Sequence, residues 1–169
     1  MPKIAALIVL ILFGAFGFAD ARTVGKTKIQ NWDVAAHVSD SSGKFTHCAS
    51  AAKYKSGITL LFSVDRRIEW AVGFSSPEWR LTPGNAYKVV YKIDGGPSRT
   101  GIGRAVSPLL VRMGVPDDDR LNEFRVGLML AVTTGTKMVK FKLTDTNKML
   151  DALFECAKQY RNKKNLKDL

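Results

Sequence analysis

The sequence is poor in the side chains that most enzyme chemistry needs. Two cysteines in 169 residues exclude a zinc framework and a disulfide-dense miniprotein, and there are only two histidines. This leaves His37 and His47 as the only side chains that titrate near neutrality without a large shift. Neither HExxH nor GxSxG spacing occurs. Gly101-Ile102-Gly103 is a lone GxG without a third glycine or a following helix, which reads as a bulge or tight strand crossing and not as a phosphate cradle. Acidic residues are scarce: Asp+Glu total 15 against Lys+Arg 26, a formal charge of +11. That balance excludes an acidic calcium buffer or an acidic tail. No internal repeat, low-complexity tract or interdomain linker is present, and 46% hydrophobic with 24% charged residues suits one globular domain.

Long apolar runs are also missing after the first residues. Lys3 precedes an unbroken run from Ile4 to Phe13, extended through Gly14 and Gly17 to Phe18 and closed by Ala19-Asp20-Ala21. The run is short of the roughly 20 apolar residues that span a bilayer and ends in small residues at both positions a signal peptidase reads, so residues 1–21 are read as a secretory signal peptide. An uncleaved anchor is the alternative. The remaining chain, 22–169, is expected to be a single exported domain, periplasmic or extracellular, without a stable membrane span. More than half of the excess charge sits at its two ends, +3 in residues 22–28 and +3 in residues 161–169. Both ends, 22–30 and 161–169, are expected to be frayed basic tails.

What the chain has in abundance is period-2 alternation. Residues 67–74 place Ile68, Trp70, Val72 and Phe74 on one face, the mark of a half-buried strand. Similar stretches are Trp32 to Val38, Ile58 to Val64, Tyr87 to Ile93, Leu128 to Val132 and Val139 to Leu143, with weaker ones at Phe45 to Ala49 and Leu109 to Met113. Short turn signals separate them, too short for parallel crossovers. The expected fold is mainly β, an antiparallel sandwich or partly open barrel of about 7–9 strands. After Thr144-Asp145-Thr146 the period lengthens, with Met149, Leu150, Leu153, Phe154, Ala157 and Tyr160 forming a helical stripe, so one C-terminal α-helix packs on the sheet. A shorter helical turn is expected after Asp117 to Asp119, with Leu121 and Phe124 inward.

Cys48 falls in an early strand and Cys156 in the last helix, and export would put both in an oxidising compartment, so one disulfide between them is expected. A reactive thiol is the rival. His47 adjoins Cys48 in sequence, but strand neighbours point to opposite faces, which argues against a nucleophile and base pair there.

Four constellations remain as candidate sites. Asp33 and His37 could share a strand face and form a small polar site with His47. If His37 and His47 converged on one phosphodiester, a metal-independent hydrolase or nuclease would follow, one imidazole acting as base and the other as acid. Lys88 and Lys92 share a face, as do Lys140 and Lys142. If their strands lie in one sheet its outer face is basic and, with Arg99 and Arg104, attracts an anionic polymer. Trp79, just past a proline and beside Arg80, is a candidate surface aromatic, whereas the alternation around Trp70 points it inward. Paired carboxylates such as Asp65, Glu69 and Glu78 could be assembled from many positions and single out nothing.

The order of a leader, WDVAAHV, a cysteine-containing strand, SGITLLFS, WAVGFSSPEWRLTPGNAYKVVYKIDGG and FRVGLMLAVTTGTKMVKFKLTDTNKMLDALFEC is similar to small exported alphaproteobacterial proteins and accessory domains. In layout it resembles the invasion-associated locus B type of periplasmic protein. The resemblance covers most of the chain after the leader and implies an exported domain without catalytic residues to carry over. The expectation is therefore a non-enzymatic exported binding module with no cofactor and no metal. It would engage a protein or an anionic cell-envelope polymer through Lys88, Lys92, Lys140, Lys142, Arg99, Arg104 and Trp79, nucleic acid being a less favoured partner. The competing readings are the two-histidine hydrolase and a carrier of a small apolar ligand.

Overall fold

A computed structural model describes residues 21–134, 137–163 and 166, so the expected leader lies outside the described residues except for Ala21. Ten strands alternate with two helices: β1 (Ala21–Ile29), β2 (Trp32–Ser39), β3 (Phe45–Lys53), β4 (Thr59–Asp65), β5 (Trp70–Ser75), β6 (Ala86–Ile93), β7 (Arg99–Ser107), β8 (Leu110–Gly114), α1 (Asp118–Val126), β9 (Met129–Thr134), β10 (Lys137–Lys142) and α2 (Thr146–Tyr160). They form one sheet in the order β1-β2-β3-β4-β5-β8-β7-β6-β9-β10, antiparallel at every pairing. The fold is thus mainly β and antiparallel, as its alternation requires, with β1 and β10 as the edges of the sheet among the described residues.

The sheet rolls around its apolar face. β5 and β10 are five strand spacings apart, roughly 24 Å in a flat sheet, yet the rings of Phe74 and Phe141 lie 5.8 Å apart and Tyr54 meets Phe141 edge-on at 5.0 Å. Trp32 Nε1 donates to the Thr144 carbonyl at 3.0 Å, and the Tyr54 hydroxyl donates to the Lys142 carbonyl. The alternating residues Val34, Ala36 and Val38, then Leu60, Phe62 and Val64, then Leu130 and Val132 are buried on this inner face. Their intervening neighbours form the outer face.

Helix α2 lies against the inner face, contacting β1 to β4. Met149, Leu150, Leu153, Ala157 and Tyr160 are buried; Phe154, expected on the same stripe, is 37% exposed beneath Lys158. The expected disulfide is present, Cys48 to Cys156 with an S–S distance of 1.98 Å and Cα atoms 6.2 Å apart. Asp145 precedes α2 in a left-handed conformation and does not cap it; its carboxylate pairs with Lys148 at 3.0 Å. Helix α1 is real, capped by Asp117 on the Arg120 N–H at 2.8 Å, with Leu121 and Phe124 inward. Phe124 sits between Phe62 and Tyr91, each ring centroid 5.5 Å away.

Four local expectations change. Residues 22–29 are not a frayed tail but edge strand β1, whose Val24 is buried; alternation is broken there by a bulge at Gly25, a left-handed residue. At the other end Leu166 is buried, its N–H donating to Gly43 O at 3.1 Å and its carbonyl accepting from Arg22 at 2.6 Å; residues 164–165 and 167–169 lie outside the described residues. Strand β5 starts at Trp70, because Ile68 adopts a left-handed turn conformation, and Leu128 precedes β9 and is 76% exposed.

Candidate functional site

The four lysines of the basic face are brought together by strand order. Lys88 and Lys92 stand on β6, and Lys140 and Lys142 on β10, with only β9 between. Val89, Tyr91 and Phe141 take the inner face, so alternation turns all four lysines outward, and all are exposed. Lys92 pairs in register with Ala131, which pairs with Lys140. That row holds two ammonium groups two strand spacings apart, about 10 Å, with a small side chain between them. Lys142 lies one row further, opposite Met129. None of the four forms an ion pair with a described residue.

Arg99 and Arg104 separate. Arg99 does not face outward: it pairs with the inner-face residue Tyr91 and bonds Glu123 of α1, Nη2 to Oε1 at 2.6 Å, with Arg120 on the same carboxylate oxygen at 2.8 Å. The two guanidinium groups hold Glu123 below the usual carboxylate range, the Arg99 hydrogen bond most of all, so Arg99 fastens α1 to the sheet. Arg104 stays exposed on the outer face. Trp79 is half-buried and packs against the core. It covers a cavity of about 220 Å³ with Phe74, Leu81, Tyr87 and Val111, which is below the usual size of a ligand pocket. The rest of the inner face is filled by Trp32, Phe62, Phe124, Phe141 and the leucines of α2.

His37 and His47 do converge, as direct cross-strand partners on the outer face of β2 and β3. Their rings stack, centroids 4.7 Å apart and planes 11° from parallel. Asp33 is not with them: it pairs with Ala51, four residues along β2, about 13 Å away. The carboxylate in the histidine row is that of Asp65, opposite His47, and its Oδ1 already accepts the Arg67 and Glu69 N–H groups at 2.8 and 2.9 Å. His47 is pushed down to about 4 by burial, then by His37 and Arg112, against a smaller opposing pull from Asp65. Burial also lowers His37. Both imidazoles are therefore neutral at pH 7. Stacked rings leave no room for a phosphodiester between them. The convergence that would have signalled a hydrolase produces a neutral aromatic pair.

Sequence reasoning missed Arg112. It lies outward on β8, opposite Arg104, and borders a groove of about 420 Å³ with His47, Leu61, Gly73 and Leu110. The signal was present in the alternation of Val111, Arg112 and Met113. Its neighbours were not, because β8 joins β5 and β7 only through the crossover in strand order. No cluster of three metal-ligating side chains occurs among the described residues, and no helix among them is long and apolar enough to cross a membrane.

The architecture is similar to that of the crystal structure of invasion associated protein B from Bartonella henselae. The TM-score is 0.56 over 80% of this chain and 99% of that one, at 12% sequence identity. At that identity the likeness establishes a shared fold. No protein-family model and no curated protein matches the chain.

Proposed function

We propose that the chain is a non-enzymatic exported binding module that engages an anionic cell-envelope polymer through the outer face of β6, β9 and β10. One observation carries the reading. Four exposed lysines, Lys88, Lys92, Lys140 and Lys142, stand on one side of a three-strand segment without a carboxylate partner among the described residues. Fixed positive charges on a rigid sheet raise the local concentration of a polyanion, and several weak contacts sum because the strands hold them at set spacings. A disulfide suits a protein that works outside the reducing cytosol. The fold shared with invasion associated protein B is compatible with a non-enzymatic interaction role.

The test is co-sedimentation of the purified chain with cell-envelope fractions over a salt series, comparing the parent with the fourfold variant K88E, K92E, K140E and K142E. Expected is salt-sensitive binding by the parent and at least a tenfold loss in the variant. Unchanged binding in the variant overturns the proposed contact face.

A further inference from the structure

The outer face carries a second constellation that the lysines do not use. Arg104 on β7 and Arg112 on β8 are direct cross-strand partners, both exposed. Neither forms an ion pair with a described residue; the side chain of Arg104 reaches only the Gly84 carbonyl, at 3.4 Å. Like charges directly opposite in an antiparallel pair destabilise it, so this row gains from a bound anion. Two guanidinium forks are suited to the planar oxygens of a carboxylate or the tetrahedral oxygens of a phosphate.

Two grooves meet at the pair, the first mostly apolar and the second mixed. One, about 420 Å³, runs over Ala49, Leu61 and Gly73 beneath Val106 and Leu110 and reaches Arg112. The other, about 760 Å³, is lined by Trp70, Ala71, Ile102, Val106 and both arginines. Val106 and Arg112 belong to both. The outer face of β7 thus presents Ile102, Arg104 and Val106 in succession, with the two aliphatic side chains 60% and 56% exposed. Small residues keep the floor low: Ala71 pairs with Gly114, and a Cβ built on Gly114 would meet nothing within 4 Å. The carboxylates that border these grooves are engaged elsewhere, Asp65 by backbone N–H groups and Glu69 with Arg67 at 4.0 Å.

We propose that this trough binds a small amphiphilic anion, its carboxylate or phosphate head held between Arg104 and Arg112 and its hydrocarbon body lying along the apolar floor. The site borders the lysine face at Lys88, which pairs with Ile102, and uses none of Lys92, Lys140 and Lys142.

The experiment is calorimetric titration of the chain with dodecanoate and with dodecyl phosphate below their critical micelle concentrations, beside dodecanol and inorganic phosphate. Expected is one-to-one binding of at least one amphiphile, with dodecanol and inorganic phosphate at least tenfold weaker. The comparison of dodecanoate with dodecyl phosphate then identifies the head group. The double variant R104Q/R112Q, at exposed positions, is expected to weaken that binding at least tenfold, and G114L, which fills the floor and keeps both arginines, to do the same. The K92E, K140E, K142E variant, which leaves Lys88 beside Ile102 in place, is expected to bind the amphiphile within a few-fold of the parent. Absence of binding by both amphiphiles overturns the proposal, as does equal binding of dodecanol or unchanged affinity in R104Q/R112Q.

Discussion

At the scale of single residues, the histidine pair shows how a cross-strand position changes what a side chain can do. His37 and His47 stack on a crowded part of the outer face, and the charged form of each is disfavoured there. In the unfolded chain both titrate near 6.5, so between that value and about 4 the unfolded state binds more protons than the folded one. Stability contributed by neutral His47 is complete above pH 6.5 and is lost as pH falls toward 4, by at most ~3 kcal/mol for a half-buried group. Urea midpoints at pH 7.0 and 4.5 should show this fall, and His47→Gln should remove most of it. An equal fall in the variant would place the pH dependence elsewhere. Gly103 makes a second residue-scale case. A Cβ there would lie 2.3 Å from Val111 Cγ1, and a β-branched neighbour cannot step aside. Gly103→Ala is expected to cost about 1–3 kcal/mol in urea unfolding. Gly101→Ala meets the mobile end of Met113 and should cost less; the reverse ranking would contradict this packing account.

At the scale of elements, α2 is held to the sheet both by its apolar stripe and by the covalent link from Cys156 to Cys48 on β3. The bond spans 108 positions, and in the chain-entropy model closing a loop of about 100 residues is worth about 4–5 kcal/mol. Reduction, or the pair C48A and C156A, should lower unfolding stability by that order. A loss under 1 kcal/mol would mean that the helix packing alone fixes α2. The same elements show what alternation in the sequence conveyed. It identified Trp32 to Val38, Ile58 to Val64 and Tyr87 to Ile93 as strands because each has one buried and one wet face. It passed over β7, where Gly101, Gly103 and Ala105 occupy the inward positions and a strand with such small inward side chains carries almost no hydrophobic period. The isolated glycines were nonetheless read as a close crossing, and the side chains of Met113 and Val111 do occupy the space that Cβ atoms would need.

For the whole molecule, the edges matter most. Strand β1 covers β2 with eight register pairs around one bulge, so its removal would expose a long hydrogen-bonding edge beside the core. Deleting residues 22–29 is therefore expected to lower the melting temperature and to cause concentration-dependent association visible by size-exclusion chromatography with light scattering. A deletion variant that stays monomeric at the parent's melting temperature would show β1 to be dispensable. At the opposite edge, β10 with β9 and β6 brings Lys140 and Lys142 beside Lys88 and Lys92. The salt dependence expected of the proposed envelope binding belongs to this scale, since only strand order brings the four lysines together.

The sequence alone determined the class of the fold, the inward and outward assignment of most strands, the two helices and the cysteine pair. Each follows from local periodicity or from the count of a rare residue, and both are properties of the chain that survive any arrangement of the strands. The outcome for the histidines, the loss of Arg99 to α1 and the meeting of Arg104 with Arg112 were decided only by tertiary structure. Cross-strand partners are set by register and strand order, and here the order runs from β5 to β8 before returning through β7 and β6. The same alternating pattern is satisfied by many such orders. What selects this one is burial of a rolled inner face against α1 and α2, a property of the whole chain.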